Sequence, residues 1–380
     1  MTTVDNRVEH GTLPPALSRQ DLERIAQHSI DSGSVLNDHA RQMAVLRLSR
    51  EEAHETIRAY QEALGPALTY LLDEETVEIY KNPLDEHVWI IDGKGKRCKT
   101  DIVLPPRDVG LLIGTIAAAN GLEITHHHPE METVIPYNGS RFTAVVPPLC
   151  ASPLFAIRKR ISKKVTLQNY INDGTLDAAQ FTALDNVVRA GKPIIVVGGQ
   201  RTGKTTFVNA GLAYVAQLFP DVRFGIVEDT PEIQCPGKDR YELLTSRLHS
   251  INYQHLIKFS LRLGADSFTL GELREEPSAL FDAYSTGTWA TGFCTVHGDS
   301  IPQGVNRIRS MYRKEMGIDM DYDILADTIG AWVALTFVRE TDKDGKVVKR
   351  RKVTQIARMV DATASGYTLT DDIDYLPLAA

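Results

Sequence analysis

The sequence contains no long apolar run. Nothing in its 380 residues approaches the roughly 20 uninterrupted apolar positions a bilayer-spanning helix needs. The opening MTTVDNRVEHGT also lacks the basic-then-apolar layout of a secretory leader, so a cytoplasmic protein is expected. Cysteine is scarce. The four present, Cys98, Cys150, Cys235 and Cys294, stand far apart and form no CxxC pair, which argues against a zinc ribbon and a disulfide framework and leaves reduced, small core residues. Positive charge is not in excess either. With 42 Lys and Arg against 49 Asp and Glu the net charge is −7, so direct nucleic-acid binding is not expected and any such contact would be local. Internal repeats and low-complexity tracts are missing. So is an NKxD guanine-specificity motif.

What is present fits two soluble domains, because 380 residues exceed one ordinary core. Residues 1–45 are polar, contain Pro14-Pro15 and read as a mobile arm. Residues 46–155 read as a small α+β domain. A helix is predicted over 50–72, where Ile57, Tyr60, Leu64, Ala67, Leu68 and Leu71 recur at spacings of three or four. Short strands follow within 77–91, then a helix over 107–119 and strands near 133–135 and 141–146, closing at Pro147-Pro148. The basic stretch FAIRKRISKK begins a linker placed at 156–176. Residues 177–380 alternate helices with short apolar strands at 193–197, 224–227, 268–270 and 292–296, the order of a largely parallel α/β sheet. A hairpin of 333–339 with 353–360, turning at Asp344-Gly345, ends the pattern.

One motif carries chemistry. Gly198-Gly199-Gln200-Arg201-Thr202-Gly203-Lys204-Thr205 fits G-x-x-x-x-G-K-[ST] without a mismatch, between an apolar strand and a helix beginning Thr205-Thr206 (TTFVNAGLAYV). Glycines there let backbone N–H groups wrap phosphates, the helix N-terminus favours negative charge, and Lys204 adds a point charge to the β- and γ-phosphates. Thr205 is the expected Mg²⁺ ligand. Without the guanine motif, ATP is the expected nucleotide.

Acidic strand ends follow. FGIVEDTPE ends a strand in Glu228 and Asp229, at the sheet edge where phosphates are presented. SFTLGELR ends another in Glu272, a Walker-B-like carboxylate placed to polarise water or hold the metal's hydration shell. His297 closes a third strand, where it either senses the γ-phosphate by hydrogen bonding or caps the next helix. The triple His126-His127-His128 looks metal-binding, but three successive residues do not converge on one ion unaided. The basic cluster Arg158, Lys159, Arg160, Lys163 and Lys164 and the acidic Asp371, Asp372 and Asp374 read as solvated surface.

In that order, GGQRTGKTT, VEDTPEI, LGELRE and GTWATGFCTVHGDS resemble the ATPases of type IV secretion and conjugative transfer. The resemblance is to TrbB-like members of the type II/IV traffic ATPase superfamily, over roughly residues 190–310, with weaker similarity reaching forward to EIYKN, RFTAVVPP and IRK. It implies a RecA-like P-loop NTPase domain after a smaller α+β domain, ATP at their junction, and a homo-hexamer working with inner-membrane components of a secretion complex, with peripheral membrane contact. It implies roles for Lys204 and Thr205 on phosphate and magnesium, for Glu272 as catalytic carboxylate and for Glu228 as a second one near the attacking water. Both carboxylates would meet the metal through water. His297 takes the His-box role, and Arg141 and Arg158 match arginines reaching the phosphates from the N-terminal domain, with Arg262 and Arg274 weaker candidates. The four-cysteine zinc insertion of type II secretion relatives is missing, which points to the conjugation branch. Alternatives are a pilus-retraction or type II secretion ATPase of the same superfamily, or a DNA-stimulated RecA-like motor.

Overall fold

The computed structural model describes residues 58–59, 61–73, 75–93, 95–135, 139–159, 165–245, 251–286, 288–341 and 347–375. The expected arm over 1–45, the first turns of the helix expected over 50–72, Arg160, Lys163, Lys164 and the Asp344-Gly345 turn lie outside them. The chain divides into two compact units, Met1–Ser162 and Lys163–Ala380.

The first unit is built on one antiparallel six-stranded sheet. Its strands are β1 (Thr76–Lys81), β2 (His87–Asp92), β3 (Arg97–Val103), β4 (Glu130–Val134), β5 (Arg141–Val145) and β6 (Leu154–Arg158), in the order β3-β2-β1-β6-β5-β4. The helix Pro106–Ala119 buries Val109, Leu112, Ile113 and Ile116, one stripe at helical spacing, in a core shared with Ile79, Phe142, Phe155 and Ile157. Each such side chain contributes about 1.5–3 kcal/mol by leaving water, so this stripe fixes the helix to the sheet.

Two expectations change here. The helix expected over 50–72 is interrupted: Gly65 takes φ +51° and Gly65–Ala67 forms a 3₁₀ turn before the short helix Leu68–Leu72. Pro66 offers no N–H for helix bonding, so the periodic face (Leu64, Ala67, Leu68 and Leu71, all buried) is kept while the helix breaks. The stretch expected as a linker over 156–176 includes the end of β6 and the helix Leu167–Asn172. In β6, Phe155 and Ile157 are fully buried and alternate with Ala156 and Arg158, and the strand lies between β1 and β5. Lys159 then donates to the carbonyls of Tyr70 and Asp73 at the end of the short helix, the second of which also accepts the Thr76 N–H.

The second unit holds an eight-stranded sheet in the order β14-β13-β12-β7-β11-β10-β8-β9. These are β7 (Ile194–Gly198), β8 (Phe224–Glu228), β9 (Arg240–Leu244), β10 (Ser267–Leu270), β11 (Phe293–His297), β12 (Ala331–Thr341), β13 (Val347–Thr363) and β14 (Gly366–Thr370). β12, β7, β11, β10, β8 and β9 run parallel, and β12, β13 and β14 pair antiparallel. β7 is buried on both faces: Ile194 and Val196 belong to one core, Ile195 and Val197 to the other. Helices pack close to the sheet through glycines. A Cβ on Gly211 would lie 2.5 Å from the Phe293 ring, and one on Gly304 would lie 2.6 Å from Val197. The helix expected over 177–190 is Ala178–Arg189, started by a reciprocal cap between Asp177 and Gln180.

Candidate functional site

The loop after β7 is held by its own side chains. Gly203 adopts φ +93° and leads directly into the helix Lys204–Leu218, which has no side-chain cap, and the N-terminal end of a helix favours an anion. Thr202 is buried and its hydroxyl donates to the Gly199 carbonyl at 2.9 Å. The Lys204 ammonium donates to the Gly198 and Gly199 carbonyls at 2.9 and 3.0 Å, which pins the cation inside the loop's curve. Gly198 is required sterically: a Cβ there would sit 2.5 Å from Thr202 Oγ1 and 2.7 Å from the Leu335 carbonyl. A Cβ on Gly199 would meet Asp299 Oδ1 at 3.2 Å. Gln200 and Arg201 form the exposed outer arc, with Arg201 at φ +62°. Thr206 follows in the first helical turn.

The neighbouring strands bring the acidic residues to the same edge. Glu228 ends β8 and is 2% exposed, with Oε2 accepting the Glu232 and Ile233 N–H groups at 3.0 Å each and Oε1 accepting Ile233 at 3.3 Å. The turn it anchors delivers Glu232 to the loop, where the Thr205 hydroxyl donates to Glu232 Oε2 at 3.3 Å. Glu232 was inside the quoted motif but gained no role from spacing, because nothing in the sequence reveals that the chain doubles back there. A hydroxyl beside carboxylate oxygens is a donor set suited to a hard cation such as Mg²⁺.

Glu272 lies just past β10, on a glycine pressed against its neighbour: a Cβ on Gly271 would approach Glu228 Cβ to 3.0 Å. Arg274 donates to Glu272 Oε2 through Nε (3.1 Å) and Nη2 (2.8 Å), and to Asp229 Oδ2 through Nη1 at 2.6 Å. Among the described residues Glu272 Oε1 accepts no hydrogen bond. Burial works against the charged guanidinium of Arg274, but Asp229 and then Glu272 outweigh it and hold its pKa above the ordinary range. Tyr253 faces the same charges with a buried hydroxyl that has no hydrogen-bond partner among the described residues. Burial first, then Asp229, drives its pKa well up.

His297 is directly opposite Gly198 in the β11–β7 register, and the next residue's N–H donates to the Gly198 carbonyl at 3.3 Å. It does not cap the following helix. Ser300 does, accepting the Gln303 N–H. Arg262 sits in the last turn of the helix Tyr253–Leu263.

The remaining two candidates belong to the first unit. Arg141 and Arg158 are seventeen positions apart in sequence yet directly opposite across β5 and β6, with Glu78 of β1 next in the same row. Directly opposed like charges destabilise a sheet, and Glu78 next in the row offsets the two arginines. Arg141 also approaches Glu132 at 3.9 Å.

Among the described residues no group of three potential ligands gathers to hold a metal, His126 to His128 included. Cys235 and Cys294 are buried free thiols, and burial pushes that of Cys235 up to about 11. No described helix is long and apolar enough to cross a membrane.

The family model described as "Type II/IV secretion system protein" matches residues 116–369. The conjugal transfer protein TrbB of Rhizobium radiobacter is 29% identical over 302 residues, covering 79% of this chain and 90% of that one. Among solved structures, the pilus retraction motor PilT with bound ADP aligns at TM-score 0.54 and 13% identity, covering 75% of this chain and 81% of that one. The ATPase DotB of Legionella pneumophila aligns at 0.52 and 15%, covering 75% and 78%. These two likenesses concern the fold, which is the expected RecA-like α/β architecture.

Proposed function

The chain belongs to the Type II/IV secretion system protein family, and from that premise we propose that it hydrolyses ATP to power conjugative DNA transfer or type IV secretion and pilus biogenesis. In this reading it works as a homo-hexamer on the cytoplasmic side of the bacterial inner membrane, with membrane-complex components as partners. The observation that carries the reading is the phosphate cradle at the end of β7 with carboxylates at the ends of β8 and β10 in the same sheet.

In this proposal the N–H groups of Gly199 to Thr206 and the Lys204 ammonium hold the phosphates. The loop keeps this curve only with glycine at 198, because a side chain there would collide with Thr202 and the Leu335 carbonyl. Thr205 and, through water, Glu272 and Glu228 would hold Mg²⁺, which would screen the negative charge of the phosphates. Glu272 accepts the proton of the attacking water through Oε1, while Arg274 fixes its rotamer by holding Oε2. Glu228 anchors the turn that brings Glu232 to Thr205, and His297, one strand from the loop, senses the terminal phosphate. We assign Arg141 and Arg158 to the phosphates as well, because a guanidinium can pair bidentately with phosphate oxygens. A phosphate-release assay on Lys204→Ala and Glu272→Gln tests the proposal. Turnover should fall by at least about a hundredfold in each, in line with removal of a transition-state contact. Wild-type turnover in either variant overturns it. Particle mass in solution with and without ATP tests the hexamer.

A further inference from the structure

A positive side chain outside every nucleotide motif lies against the cradle. Arg351 is on β13, paired in register with Phe337 of β12, and its guanidinium carbon is 5.8 Å from the Phe337 ring centroid. A Cβ added to Gly203 would meet Arg351 Cδ at 3.5 Å, Nη1 at 3.6 Å and Nε at 3.7 Å. The guanidinium therefore lies where a side chain on the loop residue just before Lys204 would touch it.

Its charge is not otherwise used. Arg350 and Lys352, on either side, both pair with Glu340 at 3.6 and 3.3 Å. Arg351 has no carboxylate partner among the described residues. A guanidinium, the Lys204 ammonium and the positive end of the helix Lys204–Leu218 are thus gathered with no acid to balance the first, an arrangement that an anion stabilises.

Sheet order says which part of the anion. β11, β10 and β8, which carry His297, Glu272 and Glu228, lie on one side of β7, and β12 and β13 lie on the other. The phosphate that is cleaved belongs on the carboxylate side. Arg351, on the far side, is placed for the phosphates that remain after cleavage.

We infer that Arg351 is a nucleotide-binding residue that pairs with the diphosphate part common to ATP and ADP, and contributes to affinity in place of the hydrolytic step. This rests on the function proposed above. It calls for calorimetric titration of the full chain with ADP and with inorganic pyrophosphate. Arg351→Ala should weaken both by about tenfold, Arg351→Lys should recover part of the loss as a point charge, and Arg350→Ala should change neither. At saturating ATP the kcat of Arg351→Ala stays at the wild-type value while KM rises about tenfold. The residue is exposed, so thermal unfolding of the variants should match wild type. Unchanged ADP affinity in Arg351→Ala overturns the inference. So does a loss confined to ADP with pyrophosphate unaffected, or a fall in kcat at unchanged affinity. If wild-type protein binds no ADP, or Lys204→Ala binds it as tightly as wild type, the nucleotide site itself is refuted and Arg351 with it.

Discussion

Replacing Glu228 by alanine separates a structural carboxylate from one that only meets water. Its carboxylate accepts the buried N–H of Ile233 and the half-buried N–H of Glu232. Leaving a buried donor unpaired costs about 1–3 kcal/mol, and the charge-assisted bond to the second adds about 1 kcal/mol, so a loss of about 3 kcal/mol is expected. For a unit of this size each kcal/mol moves the midpoint by about 2–4 °C, giving a fall of about 6–12 °C. Two of the chain's three tryptophans, Trp289 and Trp332, belong to the second unit, and Trp332 is fully buried, so fluorescence follows that unit's unfolding. The scan is run without nucleotide or Mg²⁺, because ligands add stability by mass action. Glu228→Gln keeps one acceptor oxygen and should recover about half of the loss. A midpoint within about 1 °C of wild type for Glu228→Ala would show that the turn does not depend on this side chain, and the account of how Glu232 is placed would fail.

Gly292→Ala should be nearly incompatible with the second unit, since the new Cβ would lie 1.9 Å from the Phe268 carbonyl oxygen, a backbone atom. Strands β10 and β11 would have to part, at a cost of at least about 3 kcal/mol; soluble protein with a wild-type unfolding midpoint contradicts this. In the first unit, Asp85 accepts the His87 N–H, the Trp89 indole N–H and the His87 ring, and pairs with Lys99. The His87 amide first, then the Trp89 indole, hold its pKa well below the usual carboxylate range. A depressed folded pKa gives stability that is complete above the unfolded value of about 3.9 and is lost as the pH falls below it. Urea midpoints at pH 5 and pH 3 should therefore diverge more for wild type than for Asp85→Asn, and equal slopes would exclude the effect.

The parts of the fold that were legible had one dominant signal each. The run at 193–197, buried on both faces, and the glycines after it determine strand, loop and helix together. The long hairpin shows in its two apolar stretches on either side of Asp344-Gly345. β6 was obscured because its alternation of Phe155 and Ile157 overlaps a basic run that suggested a linker. β3 escaped because at an edge only Thr100 is buried, leaving little pattern to read. Pro66 was visible, yet the apolar periodicity around it was stronger than its local effect. Within the site, the motif residues could be found from spacing. The closeness of Glu232 to Thr205, and of Arg351 to Gly203, depends on a reversed turn and on strand pairing between distant segments, which no local pattern encodes.

β7 has cores on both sides and hydrogen-bonded neighbours on both edges, and this limits how the protein can be altered. None of its four aliphatic side chains can grow or shrink without disturbing a packed layer, and a shift of one residue would exchange the two layers. Retuning toward another nucleotide must therefore come from the exposed arc at Gln200 and Arg201 or from the hairpin surface, where side chains can change without repacking. The strand acts as a fixed datum from which those adjustable parts are measured.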